Sequence, residues 1–476
     1  MLLPAETPSA SDTFALYPLT LCDNLSQESL TKAWIIEGLL DVDKVKAALD
    51  RIVEKWPLLA ARVEVVRRMR FQLRIPLGPL PAGYNAYVLT STVSSTPLSR
   101  YITLPLASFT KFPPIHLFKP KNSLSLANMK AYAKKTAPIT HWHLTSFDYP
   151  GEQYTCLGVT YSHGVFDGIG FAMVMHALEA EFSGKEWEVP PLPSPGLNEN
   201  PCEKLMEREA AKAKEVGERF SYPNLSVGGT ANFIAYLLRN FWYNLRNGVG
   251  DYNVVIPFSV HTKLAAEARK ALEEEDATDV RPTSGDVITA WLMKAVYSER
   301  GSPDSLVGLQ NVGSLRGEWA GELKLYPHNC VTVLRSNPIS VHDLSTLPLH
   351  KVAYLLAKAR SSSTRIPEAV ALYELFSEAE RKSGYLLPIH KEADQQFIMS
   401  NVSVARVSEL DFRGAGGGRV LCHYKYFPTP PFRVTNLVGN NGRLDNGDLI
   451  VNCVLDNHGA RQVDLEFGKL TGRLLH

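Results

Sequence analysis

No cysteine in this chain stands in a paired arrangement. The six, Cys22, Cys156, Cys202, Cys330, Cys422 and Cys453, are spread singly, which excludes the C-x-x-C spacing of a zinc site and points to free thiols in a reducing compartment. Dense basic runs are missing too. Fifty Lys and Arg residues offset 49 Asp and Glu for a formal net charge of +1, and the longest cationic patch is Arg67-Arg68-Met69-Arg70. A nucleic-acid binder needs a stronger electrostatic footprint. No apolar run approaches the roughly 18 residues of a membrane span. The stretch MLLPAETPSASDTFALYPLT has no basic residue and no continuous apolar core, so no secretory leader is expected and a cytoplasmic location is. There is no G-x-S-x-G nucleophile elbow. The glycine run Gly416-Gly417-Gly418 lacks the Lys-Ser/Thr of a phosphate cradle.

What remains is a globular chain of 476 residues, 45% hydrophobic and 21% charged. That length predicts two domains of roughly 200 residues each. Its centre is Tyr154 to Phe182, YTCLGVTYSHGVFDGIGFAMVMHALEAEF. The β-branched and aromatic residues from Tyr154 to Ser162 predict a buried strand ending at His163. From Ile169 to Leu178 only His176 interrupts the apolar residues, which predicts a helix buried on most sides, with Gly168 and Gly170 easing the backbone at its start.

A histidine at the end of a buried strand reaches a cavity while the scaffold fixes its ring, and an unperturbed pKa of about 6.5 suits proton abstraction. His163 is therefore the candidate general base. Two arrangements are open to Asp167: accepting from the far ring nitrogen, or turning away to hold the loop through a distant arginine. His141 and His143 flank Trp142 and share a face if they lie on a strand, but no third metal ligand is near in sequence, and they read as surface or packing residues.

The stretch His163-Gly164-Val165-Phe166-Asp167-Gly168 resembles the His-x-x-x-Asp-Gly centre of the BAHD-type acyltransferases, especially the branch of fungal secondary metabolism. The resemblance continues in order along the chain. Leu19 to Asp23 echo a family signature. Asp41 to Trp56, with Val45, Leu49, Ile52 and Val53 at helical spacing and Pro57 as terminator, matches the first helix, where structural roles are expected for Trp56 and Arg62. PTSGDVITAW resembles the Ser-Thr-x-Asp start of a later helix, with Ser284 as N-cap and Asp286 in the first turn. In NVGSLRGEW, Arg316 takes the place of the family arginine that pairs with the motif aspartate, although Ser314 replaces the usual Asp. YPHNCV keeps Asn329, with His328 where the family has glycine. Asp411 and Phe412 fit the second signature, while Arg413 and the glycines after it do not.

That resemblance implies an α/β, two-domain fold like chloramphenicol acetyltransferase, mixed sheets flanked by helices, with the active site in a tunnel between domains. The expected division is 1–189 for the domain carrying His163, 190–228 for a crossover linker and 229–476 for the second domain. Pro190 to Pro201 is dense in proline, glycine and asparagine, and the charged stretch Glu203 to Arg219 is expected to be a solvated helical connector. Ile234, Leu238, Phe241, Trp242 and Leu245 share one face of a helix, expected to pack against its domain. A short helix or turn is expected to close the chain after GDLIVNCVLD.

The implied chemistry is direct transfer of an acyl group from a coenzyme A thioester to a hydroxyl or amine of a small secondary metabolite. His163 acts as base, Asp167, Gly168 and Arg316 support the motif, and Lys263 and Ser284 are the coenzyme A candidates. Acyl-coenzyme A is a co-substrate, with no permanent cofactor and no metal, and the enzyme is expected to be a monomer. Two rivals share the fold. A condensation catalyst acting on a carrier-bound or polyketide chain usually has a second histidine where Ser162 stands, and a non-catalytic thioester-binding protein does not need His163.

Overall fold

In a computed structural model of the chain, residues 14–472 are described apart from 124–125, 193–198, 218–224, 298, 335, 363–364, 388–389 and 428–432. Two large sheets organise it. The first has five strands in the order Gly417–Tyr426, Ser29–Gly38, Glu152–Ser162, Thr140–Tyr149 and Val88–Val93, antiparallel except for the last pair. The second is mixed and runs from Val331–Leu334 through Leu306–Ser314, Gln395–Asn401, Leu437–Arg443, Leu449–Asp456 and Val249–Ile256 to Phe109–Lys111. This is an α/β two-domain architecture.

Sequence order and sheet membership cross over. The strand Gly417–Tyr426, from the second half of the chain, edges the first sheet against Ser29–Gly38, and Phe109–Lys111 edges the second. The first sheet packs one face on a core that includes Trp34, Trp56, Trp142 and Phe171. The second packs on Trp291, Phe397 and Phe467. Between the sheets, Ala33, Ile35, Cys156 and Tyr424 meet Val255 and Ile450. Apolar side chains alternate along the shared strands, so each sheet can bury both faces.

Two expected elements form where the pattern puts them. The buried strand is Glu152–Ser162 and the motif helix is Gly168–Ser183. Asp41 caps the helix Val42–Lys55 by accepting from the amides of Asp43 and Lys44, and Pro57 follows its end.

Several expectations are corrected. The connector helix Pro201–Glu215 is no solvated rod: Cys202, Leu205 and Met206 are buried, and Glu203 takes Arg70 Nη1 at 2.6 Å. A stripe of three apolar side chains was enough to dock it. The helix Thr230–Asn247 buries none of its residues. Phe233 stacks on Tyr385 and Tyr243 donates to Asp456, while Ile234, Leu238, Trp242 and Leu245 face outward. The closing segment is a full helix, Asn457–Leu470, anchored by Val463 and Phe467. The crossover stretches 193–198 and 218–224 lie outside the described residues, as does the N-terminal stretch 1–13. No described helix is long and apolar enough to cross a membrane.

Candidate active site

His163 follows the last residue of the buried strand, and its backbone is fixed from both sides. Its amide donates to the Glu28 carbonyl at 2.9 Å, and its carbonyl accepts from Asn329 Nδ2 at 2.8 Å. The ring is enclosed by protein yet keeps accessible surface. Nδ1 is buried without a partner in another residue. Burial, reinforced by the charge of Lys425, lowers the imidazole to about 4 against the favourable pull of its own backbone carbonyl and of Asp167. At neutral pH the ring is therefore uncharged.

Asp167 takes the second of the two arrangements. Its Oδ1 caps the motif helix by accepting from the amides of Ile169 and Gly170 at 3.1 and 2.8 Å. Arg316 approaches it with both ends of the guanidinium, Nη1 to Oδ2 at 2.8 Å and Nη2 to Oδ1 at 3.0 Å. Nε and Nη2 of Arg316 also donate to the carbonyls of Tyr326 and His328. Burial works against the Arg316 charge, and Asp167 beside it outweighs that and raises its pKa. A two-pronged pair of this kind fixes geometry as well as charge. Gly168 starts the helix beside Val402, which would lie 2.6 Å from an added Cβ. Gly170 lets the helix meet the Pro327 carbonyl, which would stand 1.6 Å from a Cβ there.

The sequence echoes around Asp23 and Asn329 turn out to be one structure. Thr20 and Asp23 close a capping box, and Asp23 Oδ1 accepts from both the amide and the side chain of Asn329. Burial pushes Asp23 up to about 7, opposed by the hydrogen bonds from Asn329 and Thr20. Asn329 thereby ties the Thr20–Asp23 turn to the carbonyl of His163. His328 fills the room a glycine would leave: it donates through Nδ1 to the Val165 carbonyl at 2.7 Å and stacks on Phe166.

The other sequence-derived candidates make local contacts of their own. Lys263 is exposed on the helix Phe258–Glu274, 3.8 Å from Glu267. Ser284 is not the cap: Thr283 is, accepting from the Asp286 amide while its own amide donates to Asp286 Oδ2, and Ser284 is the first helical residue. Either residue suits an N-cap, so the assignment slipped by one. His141 binds the Pro138 carbonyl and His143 is buried between Thr90 and Thr145. Sequence reasoning missed Lys32 and Lys425, whose charges act on His163. The available signal was a lone lysine in the apolar strand SLTKAWIIEG.

No known family profile matches the chain. It is 23% identical over 407 residues to the acetyltransferase adrJ of Penicillium roqueforti, covering 80% of this chain and 77% of that protein. The solved structure of F. graminearum TRI101 complexed with coenzyme A and deoxynivalenol superposes with a TM-score of 0.67 at 14% identity, over 94% of this chain and 97% of that one. The trichothecene 15-O-acetyltransferase TRI3 of Fusarium sporotrichioides superposes with a TM-score of 0.57 at 11% identity, over 99% and 97%. The fold is the one these two solved structures share.

Proposed function

We infer that the chain is a member of the BAHD-type acyltransferases, and propose that it moves an acyl group from a coenzyme A thioester to a hydroxyl of a small secondary metabolite. The observation that carries this is the neutral, accessible ring of His163 on a loop braced by Asn329 and by the Asp167–Arg316 pair. The similarity to a fungal acetyltransferase supports the reaction class.

In this reading the His163 backbone carbonyl holds the ring proton on Nδ1, which leaves the Nε2 lone pair toward the substrates. Nε2 takes the acceptor proton as the oxygen attacks the thioester carbonyl. The tetrahedral intermediate collapses, the C–S bond breaks, and the departing thiolate recovers the proton from the imidazolium. No acyl-enzyme forms. Asp167 and Arg316 touch neither substrate; they position the loop. An amine acceptor follows the same steps.

The domains 1–189 and 229–476, joined through 190–228, would each contribute one wall, with one edge strand exchanged in each direction. Coenzyme A would pass Lys263 and Ser284 on the second domain. All six cysteines are buried and form no disulfide, which fits a cytoplasmic enzyme, here taken to act as a monomer.

The test is a panel of acyl-coenzyme A donors against small alcohols and amines, followed by mass analysis of the products. An acceptor heavier by one acyl group, with stoichiometric free coenzyme A, supports the proposal. Transfer only from a carrier-bound chain, or binding without turnover, overturns it in favour of a condensation catalyst or a binding protein.

A further inference from the structure

The five-stranded sheet has a feature that a scaffold does not require. Lys32 sits mid-strand in Ser29–Gly38, 1% exposed, and its Nζ has no hydrogen-bond partner. Directly opposite it, on Gly417–Tyr426, is Lys425. Residues opposite one another in an antiparallel pair project from the same face with Cβ atoms roughly 5 Å apart, so two cationic stems rise side by side. That face also carries Trp34 and His423, whose rings stack at 4.8 Å, and it is turned toward the motif helix, where the Phe171 ring lies 5.7 Å from Lys32 Nζ. Tyr161, two residues before His163, faces Leu30 on the same side.

Among the described residues, no carboxylate forms an ion pair with either ammonium. Burial and the neighbouring Lys425 charge lower Lys32 to about 7 against the more distant pull of Asp167, and burial lowers Lys425 to about 8. Two ammonium groups held together away from water are costly to keep ionised, and an anion between them offsets that cost. Lys425, like His163, is enclosed by protein yet keeps accessible surface. The charges of both lysines act on the His163 ring, and Lys425 is the one of the two that keeps accessible surface.

We propose that Lys32 and Lys425 form an anion subsite beside His163 that holds a carboxylate carried by one of the two substrates, either on the acceptor or at the far end of the acyl chain. This rests on the acyltransferase reading of the same site. The phosphates of coenzyme A are not the anion, because the pantetheine arm keeps them far from the thioester carbonyl. The oxyanion of the tetrahedral intermediate is a single, fleeting charge, whereas two lysines whose charge burial disfavours are suited by an anion present from binding onward.

The test gives each substrate a neutral twin. Acceptor acids are compared with their methyl esters using acetyl-coenzyme A, and succinyl-coenzyme A is compared with butyryl-coenzyme A using a neutral acceptor. The quantity measured is kcat/KM for the wild type, Lys32→Met, Lys425→Met and the charge-retaining Lys425→Arg. The wild type should prefer the charged twin in one arm, which identifies the carrier of the carboxylate. Each Met variant should lower that preference roughly ten-fold to a hundred-fold, the range of a charge-assisted hydrogen bond, while Lys425→Arg keeps most of it. A wild type without preference in either arm overturns the proposal, as does a preference that survives both Met variants. Equal losses on charged and neutral twins also overturn it and assign the lysines to the oxyanion or the fold. If no donor gives acceptor-dependent coenzyme A release, the acyltransferase reading has failed instead. Calorimetric titration of the protein with acid and ester twins then decides the subsite alone: tighter binding of the acid, lost in Lys425→Met, upholds it, and equal binding refutes it.

Discussion

Replacing Arg316 with Gln removes the cation of a buried pair and leaves the Asp167 carboxylate facing a neutral side chain. Arg316 donates to both Asp167 oxygens and to the carbonyls of Tyr326 and His328, with a side chain 8% exposed. Asp167 would still accept from the amides of Ile169, Gly170 and Cys330, so the carboxylate is not stranded. The desolvated charge nevertheless loses its counter-ion, and breaking such a pair from one side costs about 3–5 kcal/mol. Against a total stability of roughly 5–15 kcal/mol, that is a large share. At about 2–4 °C per kcal/mol for a domain of this size, thermal unfolding should begin on the order of 10 °C lower. The assays are urea unfolding followed by tryptophan fluorescence and coenzyme A release on the folded fraction. Turnover should fall with stability, because the loop after His163 is what the pair holds. In a cycle with Asp167→Asn, the double variant should cost less than the sum of the singles by at least roughly 1.5 kcal/mol. A loss below about 1 kcal/mol for Arg316→Gln, or strictly additive singles, refutes the reasoning.

Gly170→Ala places a methyl group where the Pro327 carbonyl stands 1.6 Å away; since both are backbone-bound, a loss of about 3 kcal/mol is expected by urea unfolding, and an unchanged midpoint contradicts it. Asn329→Ala frees the His163 carbonyl and removes the side-chain donor to Asp23 while the backbone amide at 329 still donates to it; turnover should drop about ten-fold or more at unchanged KM if positioning is the role, and a change confined to KM argues otherwise. The pH profile of kcat/KM reports the free enzyme's base. With His163 lowered to about 4, protons compete only in acid, so the rate should stay level from pH 7 to about pH 5, and a midpoint near 6.5 shows a solvent-like ring.

The strand and the motif helix were legible because a β-branched run, Gly164 and an apolar run follow one another within a few residues, whereas the capping role of Asp167 was not read from the sequence. The Asp167–Arg316 contact spans 149 residues, and local pattern cannot carry it; only the resemblance pointed there. Lys32 and Lys425 meet through strand register between distant segments, which no single-chain periodicity reveals. The helix Thr230–Asn247 shows the opposite limit. Its apolar spacing correctly gave a helix, but an amphipathic pattern says that one face is apolar and not what covers it.

The central claim is that His163 is the base in acyl transfer. Its most direct test is acceptor-dependent release of coenzyme A by wild type and His163→Ala, with matched unfolding curves. The account predicts release that requires the acceptor and falls at least about a hundred-fold in the variant, the usual contribution of a positioned base. Equal release by both proteins, both folded, would contradict it.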